Sequence, residues 1–355
     1  MVLKQFTPFR QLNHAYSALL NINQTLSEVL RQKNMASQTS PPSISPPQTA
    51  DGEIESLRQQ IKALEESIDN RISTALREHL YLPLPSHWSA DKPFMPYSTC
   101  SAADFLHPRY AEICGVLDHG LQFHRKLWEW IFVYHHLKCA GVLIEGSRGI
   151  GFGVGQERLP AVFASHGTTV LATDAPPEIG ASSGWTATGQ HSDNLSQLKY
   201  PAIVSDAIFA ANVKHRFCDM NAIPDDLADF DFTWSCCSFE HLGSLEAGLE
   251  FVINSVEKTL KRGGVAVHTT EFNLSSNDDT IDEGHTVLYR RKDMENLVSR
   301  LRDAGHDVQP FIVAPDSHFL DFHVDLPPYA DAPHLKIKFG RHVTTSAGIV
   351  VRKKA

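Results

Sequence analysis

The sequence has few cysteines, and none are paired at the spacing of a zinc or redox motif. They lie mostly inside apolar segments, at Cys100, Cys114, Cys139, Cys218, Cys236 and Cys237. Secreted scaffolds held by disulfides and zinc-binding modules both need recognisable sets of closely spaced cysteines. We therefore expect free thiols, no metal, and a reducing cytoplasmic environment.

Long hydrophobic runs and an excess of positive charge are also lacking. The most apolar stretch, residues 128–134, is interrupted by Glu129 and falls far short of the roughly 20 residues of a membrane span. The first residues contain no continuous apolar segment of the signal-peptide kind. The formal net charge is −9, whereas nucleic-acid-binding domains are usually basic. These absences predict a soluble protein with no membrane span and no nucleic-acid partner.

Changes in composition divide the chain into an N-terminal extension and an α/β domain. Thr7 and Pro8 have the pattern of a helix start, and the proline- and serine-rich residues after it predict a linker. Beyond residue 139, strand-like runs alternate with helix-like runs, which is typical of a parallel sheet. The predicted segments are a helix over 1–36, a linker over 37–52, a helix over 53–80, a connector and helical lid over 81–138, and the α/β domain over 139–355.

The second predicted helix carries a short heptad pattern. Its apolar residues step by three and four positions, at Ile54, Leu57, Ile61, Leu64 and Ile68. The pattern fits a coiled coil that makes the protein a homo-oligomer, and it also fits an amphipathic helix that lies on its own catalytic domain. We expect the coiled coil, because the proline-rich linker separates this helix from the first one.

A glycine-rich turn is the first sign of a ligand. Residues 149–157 read GIGFGVGQE and stand between a strand-like and a helix-like run. Glycines in this turn let the backbone approach a ligand closely, and the helix start beyond it offers amide donors. The next predicted strand, 169–173, ends at Asp174, where a carboxylate can bind ribose hydroxyls. Both features occur in NAD enzymes and in S-adenosylmethionine enzymes.

Later motifs distinguish these two cofactors. Asp219 and Met220 follow a third strand, residues 229–242 read DFDFTWSCCSFEHL, and residues 260–264 read LKRGG before a strand at 265–270. This ordered series resembles class I S-adenosylmethionine-dependent methyltransferases over roughly residues 141–353. The resemblance implies an α/β fold with a Rossmann-like, seven-stranded methyltransferase sheet, preceded here by the α-helical or coiled-coil extension. It also implies an antiparallel C-terminal hairpin from strands near 308–313 and 344–352, and S-adenosyl-L-methionine as the cofactor.

The resemblance assigns cofactor contacts by position. Asp219 and Met220 would flank the adenine, and Ser235 would lie beside the methionine portion. The family usually carries an acidic residue where this chain has Gly149, and Glu157 is the candidate replacement, or Glu145 if the strand is shifted. The cofactor-binding residues so implied are Gly151, Phe152, Gly153, Gly155, Glu157, Asp174, Asp219, Met220 and Ser235.

Several segments also resemble bacterial methyltransferases linked to surface-polysaccharide synthesis. They read GFGVGQE at 151–157, ATDAP at 172–176, WSCCSFEHLGSLEAGL at 234–249, VHTTEFN at 267–273 and LPPYADAPHLK at 326–336. This narrower resemblance implies that the methyl acceptor is a hydroxyl of a sugar or glycan.

Methyl transfer to a hydroxyl requires alignment of the acceptor and removal of its proton. Ligands of open α/β sheets collect at the carboxyl ends of the strands, so polar residues there are candidate bases. A histidine after the fourth strand suits proton removal near neutral pH, and a glutamate ends the fifth. For each of these a structural role stays open, most of all for the histidine inside the fifth strand. The catalytic candidates are His241, Glu271, Glu240 and His268.

Two late polar segments are candidates for acceptor binding. Residues 275–291 are expected to form a loop over the active site, with arginines able to hold a carboxylate or phosphate. Histidines and aspartates at 318–334 are of the types that bind metals, but their spacing is not diagnostic and favours an acceptor-facing loop. The candidate substrate-binding residues are Asn273, Arg290, Arg291 and His334.

Two other functions stay open. An NAD(P)-dependent oxidoreductase would share the glycine turn and Asp174, although the C-terminal hairpin and the Glu240-His241 loop disfavour it. A non-enzymatic coiled-coil scaffold with a degenerate Rossmann domain would account for Gly149. An S-adenosylmethionine-dependent methyltransferase is the function that we expect.

Overall fold

The computed structural model describes residue 52 and residues 54–63, 91–176, 195–330 and 332–355. The chain divides into two units, Met1–Leu82 and Pro83–Ala355. In the first unit residues 54–63, which carry the start of the heptad pattern, are helical. The predicted helix over 1–36, the linker apart from its last residue, and the remainder of the heptad pattern lie outside the described residues.

The second unit is built on one mixed sheet. Its strands are β1 (Arg148–Gly151), β2 (Thr169–Asp174), β3 (Val213–Phe217), β4 (Phe230–Cys236), β6 (Leu260–Asn273), β8 (Asp307–Val308), β9 (Val324–Asp325), β10 (Lys336–Phe339) and β11 (His342–Arg352). A separate small ladder joins β5 (Gly243–Ser244) to β7 (Glu283–Gly284). In the described part of the chain the large sheet has nine strands, ordered β3-β2-β1-β4-β6-β11-β10-β9, with β8 also paired to β11.

Strand direction sets the position of the site. The five strands β3, β2, β1, β4 and β6 are parallel, so their carboxyl ends meet at one edge. Strand β11 runs antiparallel to both β6 and β10. The sheet has two strands more than the seven that the resemblance implies, and the two-residue strands β8 and β9 account for the difference. The hairpin partner of β11 is β10, whereas the sequence pattern indicates residues 308–313. Pro310, which lacks an amide donor, interrupts that segment and leaves only β8.

Helices cover both faces of the sheet. They are α1 (Ala102–Leu106), α2 (Pro108–Val116), α3 (Arg125–Cys139), α4 (Leu159–Ser165), α5 (Asp206–Asn212), α6 (Leu245–Asn254), α7 (Arg291–Asp303) and α8 (Phe319–Phe322). Val265 and Val267 belong to one hydrophobic cluster, and Ala266 between them belongs to the other. This alternation shows that β6 is buried on both faces. The carboxyl edge of the parallel strands is where ligands can reach the domain.

Helix α3 differs from its predicted role as part of a lid. Trp128 and Ile131 are fully buried, and the helix packs on the sheet next to β11. The contact is close because Gly348 has no side chain: a Cβ there would lie 2.2 Å from the Phe132 ring. Burial of such large apolar side chains contributes roughly 2–3 kcal/mol each to folding. Helix α3 is therefore packed into the core, and residues of its first two turns also reach the site. In the ranges that the structure describes, no helix is long and apolar enough to cross a membrane.

Candidate functional site

A cavity of about 360 Å³ opens at the carboxyl edge of the parallel strands. Its wall comes from the glycine turn after β1, the ends of β2 and β3, the turn Phe239–His241 after β4, and the small β5-β7 ladder. Five predicted site residues line it, namely Gly153, Asp174, Asp219, Met220 and His241. The loop expected over the active site contributes Gly284 and His285.

The glycine turn is held by the strand beside it. Gly155 has a φ of 52°, and its amide donates to Asp174 Oδ2 over 3.2 Å. Gly153 has a φ of 57°, and a Cβ there would lie 2.7 Å from Ser238 Oγ. A side chain would be strained at both positions and would collide at the second. Asp174 therefore holds the glycine turn through the Gly155 amide and also lines the cavity, where its carboxylate can accept further hydrogen bonds.

A second cavity of about 270 Å³ shares Gly153 with the first. Lys126 and Glu157 bring opposite charges to its wall, beside Trp130. Burial raises the pKa of Glu157 to about 7, although a hydrogen bond from Trp234 and the charge of Lys126 act in the opposite direction. Burial lowers the pKa of Lys126, but the charge of Glu129 and of other nearby acidic groups together raises it above its usual range, so the ammonium persists. The two cavities thus place the Lys126 ammonium and the Glu157 carboxyl on one side of Gly153 and the Asp174 carboxylate on the other.

The structure explains why position 149 holds a glycine instead of an acidic residue. In the register of β1 against β4, Gly149 stands opposite Phe232 and Gly151 opposite Trp234. A Cβ would lie 2.2 Å from the Phe232 ring at the first position and 2.3 Å from the Trp234 ring at the second. Aromatic rings of β4 therefore occupy the space in which an acidic side chain at position 149 would stand. Glu157 lies elsewhere in the turn, where Trp234 Nε1 donates to its Oε1 over 2.7 Å.

Glu271 and Glu129 anchor a buried polar cluster where β6 extends beyond β4. Arg125 Nη1 and Thr344 Oγ1 each donate to one oxygen of Glu271, both over 2.5 Å. Glu129, 1% exposed, accepts from Cys237 Sγ over 2.9 Å. Because both oxygens of Glu271 already accept hydrogen bonds, the geometry favours a positioning or ligand role for it over that of a base.

The two other polar candidates after β4 have different surroundings. Glu240 is 1% exposed and accepts from Thr270 Oγ1 over 2.9 Å, and burial raises its pKa. His241 Nδ1 lies 2.8 Å from the backbone oxygen of His285. A carbonyl only accepts, so that contact places the ring proton on Nδ1 and the basic lone pair on Nε2. Of the four catalytic candidates, His241 is the one that the structure brings to the first cavity.

Three predicted site residues lie in the core instead. His268 is fully buried, and its two ring nitrogens bond Ser235 Oγ at 2.8 Å and Ser255 Oγ at 2.9 Å. Burial lowers its pKa to about 3, which removes it from proton transfer at neutral pH. The Ser235 hydroxyl is engaged in its hydrogen bond with His268, and the Phe152 ring packs on Phe251. Ser235 and His268 lie in the core because β4 and β6 are covered on both faces, and Phe152, directly after β1, belongs to one of the hydrophobic clusters.

Three of the four predicted substrate-binding residues hold loops in place. Asn273 accepts from the amides of residues 275 and 276 and donates to the oxygen of Asp279. Arg290 pairs with Asp293 and caps α7, whereas Arg291 is exposed at the start of that helix. His334 pairs with Asp325 over 2.6 Å. The polar loops therefore satisfy their own groups, and an acceptor contact from these residues stays a prediction.

The late histidines and aspartates are likewise engaged in local structure. Asp321 caps α8 by accepting from the amide of His318, and the ring of His334 stacks on that of His124 with centroids 4.5 Å apart. All six cysteines are free thiols.

Sequence reasoning missed Lys126 and Trp130, which line the second cavity, and Ser238, which lines the first. Ser238 lies within the motif after β4, two positions before the candidate Glu240. Lys126 stands 110 residues before Cys236, whose backbone oxygen lies 3.4 Å from its ammonium. No local pattern connects positions so far apart.

No protein-family profile and no curated protein matches the sequence. Among solved structures, a candidate sarcosine dimethylglycine methyltransferase from Galdieria sulphuraria is 14% identical at a TM-score of 0.40, covering 64% of this chain and 86% of that one. An S-adenosylmethionine-dependent methyltransferase from Mesorhizobium loti is 13% identical with a TM-score of 0.36, and the match covers 62% of this chain and 97% of that one. A phosphoethanolamine N-methyltransferase from Haemonchus contortus, in complex with S-adenosyl-L-methionine, is also 13% identical with a TM-score of 0.36, and the match covers 62% of this chain and 52% of that one. These likenesses are loose, so the function must rest on the residues of the site.

Proposed function

We propose that this chain is an S-adenosyl-L-methionine-dependent methyltransferase whose acceptor is a hydroxyl of a sugar or glycan. One observation carries the cofactor assignment: two cavities meet at Gly153, one with Asp174 and the other with Lys126 and Glu157. The cofactor has the same division, with a neutral nucleoside at one end and an amino acid with two opposite charges at the other.

The first cavity fits the nucleoside. Asp174 is 1% exposed and lines the cavity at the end of β2, so its carboxylate is placed to accept hydrogen bonds from ribose hydroxyls. Asp219 and Met220 follow β3 on the same wall, where a carboxylate can accept from the adenine amino group and a thioether can contact the ring. The glycine turn leaves room for the backbone to approach the ligand.

The second cavity fits the amino-acid end. Lys126 can pair with the cofactor carboxylate, and Glu157 can pair with its ammonium. Because the wall carries both signs of charge, the cavity favours a ligand that also brings both signs. A dinucleotide would instead bring the doubly negative pyrophosphate close to Glu157, which like-charge repulsion disfavours. The site therefore supports the methionine cofactor over a nicotinamide cofactor.

The chain then has to present the acceptor. The cofactor supplies an electrophilic methyl group on a sulfonium, which is an excellent leaving group. His241, with its basic lone pair on Nε2, is placed at the first cavity to accept the acceptor's hydroxyl proton. The sugar or glycan acceptor itself rests on the sequence motifs at 234–249 and 326–336, which resemble polysaccharide-associated enzymes.

Isothermal titration calorimetry of the full chain with S-adenosylhomocysteine and with NAD⁺ tests this function. We expect micromolar binding of S-adenosylhomocysteine that falls at least about tenfold in Asp174→Ala, because the ribose hydroxyls lose their acceptor. Asp206→Ala, at the exposed start of α5, is the matched control and should bind as the unaltered protein does. Binding of NAD⁺ alone would establish the oxidoreductase, and a folded protein that binds neither ligand would favour the scaffold.

A further inference from the structure

Cys237, Glu240 and Glu271 converge at the end of β4, next to the first cavity. The Cys237 sulfur and one carboxylate oxygen of each glutamate all lie within 4.8 Å of one another. Zinc–ligand distances of about 2.0–2.3 Å place the ligand atoms of a tetrahedral site roughly 3.3–3.8 Å apart. Small side-chain movements would therefore bring these three atoms to coordination distance.

The backbone holds the three groups in place from different elements. Cys237, with a φ of 45°, directly follows β4, and its amide donates to the backbone oxygen of Thr269 over 3.0 Å. Glu240 stands in the short turn Phe239–His241, and Glu271 on the part of β6 that extends past β4. Each glutamate oxygen has two lone pairs, so Glu271 can bind an ion and keep its bonds to Arg125 and Thr344.

Charge around the cluster leaves room for a cation. The buried carboxylates of Glu129, Glu240 and Glu271 face two cations, Arg125 and Lys126. Glu129 Oε2, on a side chain that is 1% exposed, accepts no hydrogen bond from any described residue, although the Lys126 ammonium lies 3.3 Å away. Three buried carboxylates beside two cations leave negative charge in excess, and buried charge is costly unless a further cation offsets it.

We propose that Cys237, Glu240 and Glu271 bind a divalent ion of the zinc class. A thiolate ligand excludes magnesium and calcium, which take oxygen ligands, and favours zinc or a similar transition metal. Binding breaks the S–H bond of Cys237, and the proton passes to solvent. Three protein ligands leave a fourth position open, as in zinc sites that act on a bound oxygen.

A role follows if the proposed methyltransferase function is right. Ser238 and His241, the chain neighbours of Cys237 and Glu240, line the first cavity. An acceptor hydroxyl bound at the open position would have its pKa lowered by the ion, so His241 would remove its proton more readily. The ion would thus select hydroxylated acceptors.

Titration of the metal-free full chain with Co²⁺, followed by near-ultraviolet absorption, tests the site. We expect one equivalent to bind with a thiolate-to-cobalt charge-transfer band, and Zn²⁺ to remove the band by displacement. Cys237→Ser should abolish the band, and Glu240→Gln should weaken Co²⁺ binding at least about tenfold. Cys139→Ser, which alters an exposed thiol, is the control and should leave both unchanged.

The absence of a thiolate band in the folded protein, or a band that survives Cys237→Ser, would overturn the site. Circular dichroism checks the fold of each variant, and Glu240→Gln keeps the test valid should Cys237→Ser unfold. Calorimetry with S-adenosylhomocysteine on the same samples separates this inference from the cofactor assignment. Metal binding without nucleoside binding leaves the metal site standing and removes the methyltransferase, and the reverse result removes the metal site alone.

Discussion

Trp234 donates its indole N–H to Glu157 Oε1 over 2.7 Å, and the same ring fills the space beside Gly151. The Trp234 side chain therefore packs against the glycines of β1 and also holds the Glu157 carboxyl at the second cavity. The Phe232 ring, two residues earlier on β4, fills the space beside Gly149 in the same way. The two aromatic rings of β4 therefore account for the missing acid at Gly149 and for the position of Glu157, and both can be tested by substitution.

The Glu157 carboxyl should make stability depend on pH. Its pKa is about 7 in the folded protein against an ordinary 4.5, so the folded state holds the proton more tightly across that window. The free energy of unfolding therefore falls as pH rises from about 4.5 to about 7, by up to roughly 1.4 kcal/mol per pH unit. Urea unfolding of Glu157→Gln should show a flatter dependence over the same window. Burial also raises the pKa of Asp104 to about 7, but that group is present in both proteins. Parallel curves for the two proteins would contradict the assignment.

Gly149→Ala should destabilise the protein by crowding the Phe232 ring, which lies 2.2 Å from the added Cβ. Overpacking of this kind typically costs about 1–3 kcal/mol, measured by urea unfolding. Adding Phe232→Leu should recover part of the loss by making room. Gly120→Ala, where a Cβ faces open space, serves as control and should cost much less. A Gly149→Ala protein as stable as its parent would show that the strands can separate here without penalty.

His241→Gln should lower kcat with a hydroxylated acceptor by about 10²–10⁴, the usual contribution of a general base. S-adenosylhomocysteine affinity should change far less, because the residue is assigned to the acceptor. Steady-state rates and calorimetry on the same preparation separate the two effects. An unchanged kcat would remove His241 from proton transfer.

Removal of residues 1–80 should dissociate the oligomer that the heptad pattern predicts while turnover per subunit survives. Sedimentation equilibrium measures the first effect and initial rates measure the second. A monomeric full-length protein would rule out the coiled coil, and loss of activity in the truncated protein would support helices that lie on the catalytic domain.

Local patterns predicted the parallel strands, and they singled out Gly153 and Asp174, which line the first cavity, because these two are linked by a short spacing within one βαβ unit. The position of the second cavity was not predictable, because Lys126 reaches it from a helix far earlier in the chain. The structural role of His268 was also not predictable from the sequence. Both faces of β6 are buried, so the alternation that marks an inward-facing residue in a half-exposed strand is absent.

The hairpin partner of β11 was misplaced for a related reason. Residues 308–313 are apolar enough to predict a strand, but Pro310 limits pairing there to Asp307–Val308. The turn at Gly340, with a φ of 56°, brings Lys336–Phe339 back onto β11 instead. Apolar content alone did not distinguish these two segments.

The pairing of the two cavities is tested most directly by comparing two ligands that share the nucleoside. Calorimetry would measure S-adenosylhomocysteine, which has the amino-acid end, and 5′-methylthioadenosine, which lacks it, on the parent chain and on Lys126→Met. We expect Lys126→Met to lose at least about tenfold for S-adenosylhomocysteine and almost nothing for 5′-methylthioadenosine, since charge-assisted pairs contribute about 1.5–3 kcal/mol. Lys138→Met, at the far end of the same helix, should bind both as the parent does. Equal losses for the two ligands, or none, would contradict the assignment of the second cavity to the amino-acid end.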